Sequence, residues 1–128
     1  MPMPNSKHKN RGVKMMLLIP ENLKMKPGKL GAQTAHGALG LYMKIANIKK
    51  HEKMIEDWMA NGQKKICAKI KDEGEMNTVM SKATDEDIEF YCVQDAGKTQ
   101  VAAGSRTVLA LIGYENKLNT ITGRFKLM

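Results

Sequence analysis

The chain has 128 residues, of which 42% are hydrophobic, and this length and composition suit one globular domain with a buried core. Its 21 Lys and Arg residues against 13 Asp and Glu residues give a net charge of +8, which favours a polyanionic partner such as RNA. No stretch approaches the ~20 apolar residues that span a bilayer and no signal peptide is evident, so we expect a soluble cytoplasmic protein without a membrane partner.

The N-terminal residues predict a basic tail. Positive charge without any acidic residue, in a context of Pro, Asn and Ser, is typical of a segment that does not pack; the charges are those of Lys7, Lys9, Arg11 and Lys14. We expect residues 1–12 to be disordered and residues 13–128 to form the domain. Such a tail aids solubility or binds nucleic acid.

The first strand and helix are predicted by hydrophobic patterning. Val13 to Ile19 is a nearly continuous apolar run that Pro20 ends, as in a strand buried on both faces. Pro27 suits the first turn of a helix, and apolar residues then recur at spacings of three and four as far as Ala46.

A second helix and strand follow. The helix is predicted from about Lys49 to Asn61, and Gly62 is placed to end it in a left-handed conformation. The alternation in Lys64 to Ile70 predicts a strand. Asp72 and Glu75 then resemble a capping box that opens a third helix.

The C-terminal part adds two strands, at Ile88 to Val93 and Thr107 to Ile112, a short helix at Tyr114 to Ile121, and an edge strand at Phe125 to Leu127. Strands that alternate with helices indicate an α/β fold. We expect a three-layer sandwich with a mixed, mostly parallel four-stranded sheet between helices.

The stretch QDAGKTQ, residues 94–100, contains the Gly-Lys-Thr of a nucleotide-binding phosphate loop. Such a loop needs a glycine five residues earlier and a helix directly afterwards. Cys92 occupies the glycine position, and Val101 to Ser105 is rich in loop formers. A nucleotide-binding enzyme is therefore the weakest of the functions considered.

Candidate functional groups follow two strands of the predicted sheet. Ligands of α/β sheets collect at the carboxyl edge of the strands. The first strand leads to Lys29 and the third to Asp95, so both lie at one edge if those strands are parallel and near neighbours. If the fourth strand runs antiparallel to the third, Thr99 and Thr107 share this edge.

A polar line accompanies the apolar stripe of the first helix. Lys29, Gln33 and His36 lie at i, i+4 and i+7. A line of this kind is a solvated face or a functional one, and the small residues around it, among them Gly31 and Gly37, let a substrate or another backbone come close. Likewise, Asp95 suits an ordinary turn as well as a catalytic site.

Two separated motifs carry a family resemblance. KMKPGKLGAQTAHGALG (residues 24–40), together with DAGKTQ (95–100) and GSRTV (104–108), resembles the archaeal and eukaryotic class of peptidyl-tRNA hydrolase, the peptidyl-tRNA hydrolase 2 family. The resemblance extends from about Val13 to Met128. It departs from the family at Lys26-Pro27, at Ala103 and at Ser105, where the family usually has glycine-lysine, proline and threonine.

The resemblance implies a homodimer that hydrolyses the ester between a peptide and the ribose of tRNA. It assigns the catalytic role to Lys29, Asp95, Thr99 and Thr107. The substrate-binding candidates are Gln33, His36, Lys26, Lys98, Gln100 and Arg106. The substrate is peptidyl-tRNA, and the basic tail is a candidate contact for acidic partners associated with the ribosome.

Ester hydrolysis needs a nucleophile, stabilisation of an oxyanion and a proton for the leaving group. Lys29 at a helix start presents positive charge to the oxyanion or to a phosphate. Asp95 orients Lys29 or acts as a base toward water, and either threonine positions the water or is itself the nucleophile.

No cofactor and no metal are expected, because the three histidines and two cysteines lack ligand-like spacing. Cys67 and Cys92 lie in apolar runs and are predicted to be buried free thiols. The alternative function is that of a non-catalytic RNA-binding or protein-adaptor module that kept the fold.

Overall fold

The computed structural model describes residues 12–95 and 104–128. Residues 1–11 of the predicted tail and the Gly-Lys-Thr stretch lie outside the described residues. A four-stranded sheet forms the middle layer, in the order β2-β1-β4-β3. The strands are β1 (Val13–Pro20), β2 (Lys65–Ile70), β3 (Glu89–Gln94) and β4 (Arg106–Tyr114).

The sheet is mixed, but the expectation that it is mostly parallel is wrong. Only β1 and β2 pair in parallel, whereas β4 runs antiparallel to both of its neighbours, β1 and β3. A parallel neighbour needs a crossover of about a dozen or more residues, usually a helix. Only 11 residues separate Gln94 from Arg106, slightly fewer than that, and β4 runs back between β1 and β3.

Four α-helices cover the two faces of the sheet. They are α1 (Pro27–Ile45), α2 (Glu52–Ala60), α3 (Glu73–Asp85) and α4 (Glu115–Thr122), with short 3-10 turns at Glu21–Leu23 and Lys49–His51. The three-layer α/β fold is thus confirmed, and no helix within the described residues is long and apolar enough to cross a lipid bilayer.

The core consists of two clusters, one on each face of β1 and β4. Leu41 and Ile45 of α1 and Trp58 of α2 pack on one face. Met76 and Leu118, from α3 and α4, pack on the other. Because all eight residues of β1 are buried, its apolar run is explained by helices on both faces.

Two predicted helix ends are confirmed, whereas the helix predicted from about Lys49 begins with the 3-10 turn Lys49–His51 and is α-helical only from Glu52. Asp72 accepts a hydrogen bond from the backbone N–H of Glu75 at 3.0 Å, and the Glu75 side chain accepts one from the N–H of Lys71 at 2.6 Å, so two groups at the start of α3 are capped. Gly62 has a φ of 90°, the left-handed conformation expected after α2. The C-terminal edge strand is reduced to a single bridge between Ala68 and Leu127.

Lys14 does not belong to the basic tail. It is a residue of β1, only 8% exposed, and its ammonium donates a hydrogen bond to the Asn119 side chain. Burial lowers the pKa of Lys14 below its ordinary value, and Lys64 lowers it further while Glu115 opposes the shift. The apolar residues that surround Lys14 in the sequence therefore place it in a buried strand despite its charge.

Both cysteines are free thiols, as predicted, but they are only partly buried. Burial raises the pKa of the Cys67 thiol, and it also raises that of Cys92. At Cys92 the nearby charge of Arg106 opposes this shift and that of Glu73 adds to it. Each thiol is therefore protonated at neutral pH.

Candidate active site

Lys29 and Asp95 form a buried ion pair at the carboxyl edge of the sheet. Lys29 lies in the first turn of α1, which Pro27 begins, and Asp95 is the residue after β3. The Lys29 ammonium donates to Asp95 Oδ1, and the two side chains are 8% and 3% exposed. The strands that precede these residues run in the same direction and are separated by β4. The sequence-based hypothesis that both groups share one edge is therefore correct.

A second buried contact lies beside this pair. Thr107, near the start of β4, is fully buried, and its hydroxyl donates a hydrogen bond to Gln33 Oε1. Gln33 follows Lys29 by one helical turn and is itself 7% exposed. The polar line of α1 is thus divided, because Lys29 and Gln33 face the sheet edge while His36 is exposed.

The close approach of α1 to the sheet depends on a glycine. A Cβ atom on Gly37 would lie 3.0 Å from Val108 Cγ1 of β4, tighter than ordinary contacts. A Cβ atom on Gly28 or Gly31 would meet no other atom within 4 Å. The glycine at position 37 is therefore needed for packing, whereas those nearer Lys29 leave the surface open. Gly37 therefore sets the distance between α1 and the strand that carries Thr107.

The backbone of Asp95 is tied to the start of the returning chain. Its N–H donates to the carbonyl of Ser105 at 2.8 Å, and its carbonyl accepts from the N–H of Gly104 at 3.0 Å. Gly104 has a φ of 83°, a conformation that L-residues rarely adopt. These two bonds fix Asp95 relative to Thr107 through the backbone.

The other predicted residues are placed as follows. Lys26 is exposed at the N-cap of α1, and its carbonyl accepts from the N–H of Leu30. Arg106 is half-buried at the start of β4 and pairs with Glu73 at 2.9 Å. Lys98, Thr99 and Gln100 lie outside the described residues.

Lys44, in the last turn of α1, lies away from this edge. At 1.5 Å per residue it is about 22 Å along α1 from Lys29. Its ammonium donates to the carbonyl of Phe90 at 2.6 Å and lies 5.1 Å from the centroid of the Phe90 ring.

Glu73 is a neighbour of the site that sequence reasoning missed. It lies in the first turn of α3, and its carboxylate holds the Arg106 side chain. The only sequence signal for this contact is the acidic start of the helix, which complements the helix dipole and is explained by that alone. The contact joins residues 33 positions apart and depends on the tertiary fold.

The arrangement combines a buried cation, a carboxylate, a hydroxyl and an amide within reach of one sheet edge. A cation so placed can stabilise negative charge on a bound carbonyl, and a carboxylate beside it can fix the cation or take a proton. Among the described residues, no group of three or more His, Cys, Asp or Glu side chains is arranged to hold a metal ion.

The sequence model of the family described as peptidyl-tRNA hydrolase PTH2 matches residues 13–128. This chain belongs to the PTH2 family. The match includes every residue of the Lys29–Asp95 and Gln33–Thr107 contacts. It thereby confirms the resemblance that the two sequence motifs carry.

Several PTH2 relatives match most of the chain. A "probable peptidyl-tRNA hydrolase 2" of Caenorhabditis elegans is 38% identical over 115 residues, covering 90% of this chain and 36% of the relative. A "peptidyl-tRNA hydrolase" of Thermoplasma volcanium is 37% identical over 117 residues, covering 91% of this chain and 98% of the relative. The "peptidyl-tRNA hydrolase 2, mitochondrial" of Bos taurus is 35% identical and is covered over 63% of its length.

The relatives thus differ in length. The chain spans about a third of the nematode protein and nearly all of the archaeal one. Among solved structures, a protein of unknown function from Agrobacterium tumefaciens strain C58 has a TM-score of 0.58 with 11% identity. The similarity covers 91% of this chain and 97% of the other. At that identity the structural similarity concerns the fold alone.

Proposed function

We propose that this protein hydrolyses peptidyl-tRNA at the ester between the peptide, or an N-blocked amino acid, and the 3′-terminal ribose. The products are free tRNA and the released peptide. The observation that carries the proposal is the buried Lys29–Asp95 pair, which lies in the two motifs of a matched peptidyl-tRNA hydrolase family. The names of relatives matched over 90% and 91% of this chain support the same activity.

Lys29 stabilises the oxyanion of the tetrahedral intermediate. Its side chain is 8% exposed, so water screens its charge weakly, and the first turn of α1 adds the positive end of the helix dipole. Asp95 holds the ammonium in place before the substrate arrives. An oxyanion donor of this kind typically contributes ~10²- to 10³-fold in rate.

Water is the nucleophile in this proposal, and Asp95 is its base. The water oxygen attacks the ester carbonyl carbon while its proton passes to the carboxylate. The bond from that carbon to the ribose oxygen then breaks, and the proton held by Asp95 passes to the ribose oxygen, which becomes the free hydroxyl of tRNA while Asp95 returns to a carboxylate. Every atom comes from substrate and water, and no cofactor enters the reaction.

Thr107 positions Gln33 beside the ester rather than attacking the ester itself. Its side chain is fully buried and its proton is donated to Gln33, so its hydroxyl is directed into the protein. Gln33 in turn is held at the site by that bond. Thr99 is assigned to the same site by the family motif alone, as a second group that positions water or ester.

The substrate-binding set extends from this centre. Lys26 and Arg106 flank the pair on α1 and β4 and suit contacts with the phosphates near the ester. Lys98 and Gln100 join the set through the motif. His36 is exposed one turn beyond Gln33, where it contacts the substrate's outer part.

The proposal extends to the domain organisation, the oligomeric state and the cellular location of the protein. Residues 13–128 form the catalytic domain, and the basic tail adds contacts to RNA or to acidic partners associated with the ribosome. The protein acts as a homodimer in the cytoplasm, where it returns tRNA to translation. The excess of positive charge supports the RNA substrate, since it raises encounter rates with a polyanion.

The decisive experiment is the release of free tRNA from an N-acetylaminoacyl-tRNA by the purified protein. Wild type, Lys29→Ala and Asp95→Ala are compared after circular dichroism has shown that each is folded. Turnover by wild type alone supports the proposal. Binding of RNA without turnover by a folded wild type points to the adaptor function, and thermal stabilisation by a magnesium nucleotide points to the nucleotide-binding enzyme.

A further inference from the structure

A basic cavity lies at the end of β2, at the same edge of the sheet as the candidate active site. Its volume is about 420 Å³. The charged residues that line it are Lys69, Lys71, Arg124 and Lys126, against Glu21 and Glu75. Four cations and two carboxylates leave the cavity with an excess of positive charge.

Two positive charges lie next to each other where the C-terminal residues meet β2. Leu127 bridges Ala68 of β2, and the N–H of Lys69 donates to the carbonyl of Lys126 at 2.7 Å. Lys69 and Lys126 therefore leave adjacent backbones and line the same cavity. Like charges in adjacent positions of paired strands destabilise a fold, so a bound anion would relieve this arrangement.

The carboxylates neutralise only part of the charge. Glu21 lies 3.7 Å from Lys69, and Glu75 lies 3.3 Å from Arg124. Within residues 12–95 and 104–128, no carboxylate lies at ion-pair distance from the ammonium of Lys71 or Lys126. Both lysines are exposed and accessible to a ligand.

An aromatic ring completes the cavity. The guanidinium carbon of Arg124 lies 4.5 Å from the centroid of the Phe125 ring, and both residues line the cavity. Cations that follow a backbone, next to aromatic or guanidinium planes on which bases stack, are the combination that binds single-stranded nucleic acid. A plain phosphate site has no need of the ring.

The cavity and the Lys29–Asp95 pair share the same edge of the sheet. In the order β2-β1-β4-β3, the ends of β2 and β3 are three strand spacings apart, which is about 14 Å. The first turn of α3 lies between them, where Glu73 holds Arg106 and Glu75 holds Arg124. Positive groups therefore continue along the edge from the active site to the cavity.

We propose that this cavity binds the single-stranded 3′ end of tRNA. Lys71 and Lys126 contact its phosphates, and a base stacks on Arg124 or Phe125. The inference rests on the proposed hydrolase function, because the 3′ end is the RNA segment adjacent to the ester. Bound here, the nucleotides a short way upstream fix the ester at Lys29.

The first test measures binding without turnover. A fluorescent single-stranded RNA that has the sequence of a tRNA 3′ end and carries no amino acid is titrated at several salt concentrations. Wild type and Lys71→Ala/Lys126→Ala are compared. The double variant should bind about tenfold more weakly near 0.1 M salt, and the log-log slope against salt should fall by about 1.4. Both substituted residues are exposed, and unfolding curves verify that the variant is folded.

Lys82→Ala/Lys117→Ala is the matched control. It removes the same charge at the opposite edge, since Lys82 lies in the last turn of α3 and Lys117 near the start of α4, after β4 ends. Unchanged binding by the control supports the cavity. Equal weakening of both double variants means that only the net charge matters and overturns the proposal, as does full binding by Lys71→Ala/Lys126→Ala.

Arg124→Lys tests the stacking. It keeps the charge and removes the planar guanidinium. Single-stranded RNA should bind about tenfold more weakly with the salt slope unchanged, whereas a duplex RNA that competes as well as the single strand would contradict the assignment. Because these measurements need no hydrolysis, an inactive wild type that still shows them separates failure of the enzyme proposal from failure of this one.

Discussion

Lys29 and Asp95 are 66 residues apart in the sequence, and they form an ion pair in which neither side chain is more than 8% exposed. Removing two charges from water is expensive, and a hydrophobic pair of similar size is often as stable or more stable. A contribution to folding stability therefore does not explain why this ion pair is buried. A cation held ready to meet negative charge on a substrate explains it better.

A double-mutant cycle separates the pair's effect on stability from its effect on turnover. Lys29→Met or Asp95→Asn alone removes one partner of this buried ion pair and should lower the free energy of unfolding by about 3–5 kcal/mol. Lys29→Met/Asp95→Asn should recover most of that loss in urea unfolding. It should still reduce kcat by ~10²-fold or more.

The exposed pair formed by Lys50 and Asp87, 3.7 Å apart, provides the control. Lys50→Met/Asp87→Asn should change the free energy of unfolding by less than about 1 kcal/mol and leave turnover unchanged. A stable Lys29→Met/Asp95→Asn protein with wild-type kcat would remove the pair from the mechanism.

Thr107 is the next target, because its hydroxyl is fully buried and bonded to Gln33. Thr107→Val leaves the Gln33 carbonyl unpaired, which should cost about 1–3 kcal/mol of stability and reduce kcat by up to ~10²-fold through misplacement of the ester. Thr107→Ser keeps the hydroxyl and should retain most of the activity. Detection of a peptide esterified to Thr107 by mass spectrometry would show instead that this residue is the nucleophile.

Lys14 links stability to pH. Burial lowers the pKa of Lys14, so between that lowered pKa and its ordinary value the unfolded chain binds more protons, and the folded state gains stability as pH rises. The penalty of the buried charge is full below the lowered pKa. Lys14→Met should therefore raise Tm at pH 7 by about 2–4 °C, and this advantage should shrink toward pH 10.

The pH scan of Lys14→Met needs a control, since other groups titrate over the same range. Lys117→Met removes an exposed lysine and should show no such trend. The pairing of Lys14 with Asn119 is lost in Lys14→Met, but Asn119 is exposed and bonds to water instead. An advantage that grows with pH would contradict the assignment.

The two thiols give a test of the core. Burial raises the pKa of Cys67 and of Cys92, so less of the reactive thiolate forms at a given pH. In single-cysteine variants, Cys67→Ala and Cys92→Ala, the remaining thiol should react with a disulfide reagent at pH 7.5 at least about tenfold more slowly than in urea. Equal rates in the folded and unfolded protein would show that the burial is not maintained in solution.

Local signals predicted most of the elements. The apolar run of β1, Pro27 at the start of α1 and the capping pair Asp72 and Glu75 each act within a few residues, and the structure confirms all three. Pairing direction is different, because β4 enters between β1 and β3 for reasons of chain length and packing. A pattern within one strand does not specify its neighbour.

Only part of the site could be predicted from the sequence, because some of its contacts depend on how distant elements pack. The family motifs name Lys29, Asp95 and Thr107, but the motifs do not specify that Gln33 bonds Thr107 or that Glu73 holds Arg106. These contacts join residues 74 and 33 positions apart and exist only once α1 and α3 lie against the sheet.

Two backbone hydrogen bonds join Asp95 to Ser105 and Gly104, so they hold together the residues on either side of the intervening segment. The described residues on either side of it, Asp95 and Gly104 with Ser105, are bonded to each other beside Lys29, so we expect changes between them to leave the positions of Asp95 and Thr107 unaltered. A segment of different length or sequence that keeps Lys98, Thr99 and Gln100 should therefore leave the Lys29–Asp95 pair in place.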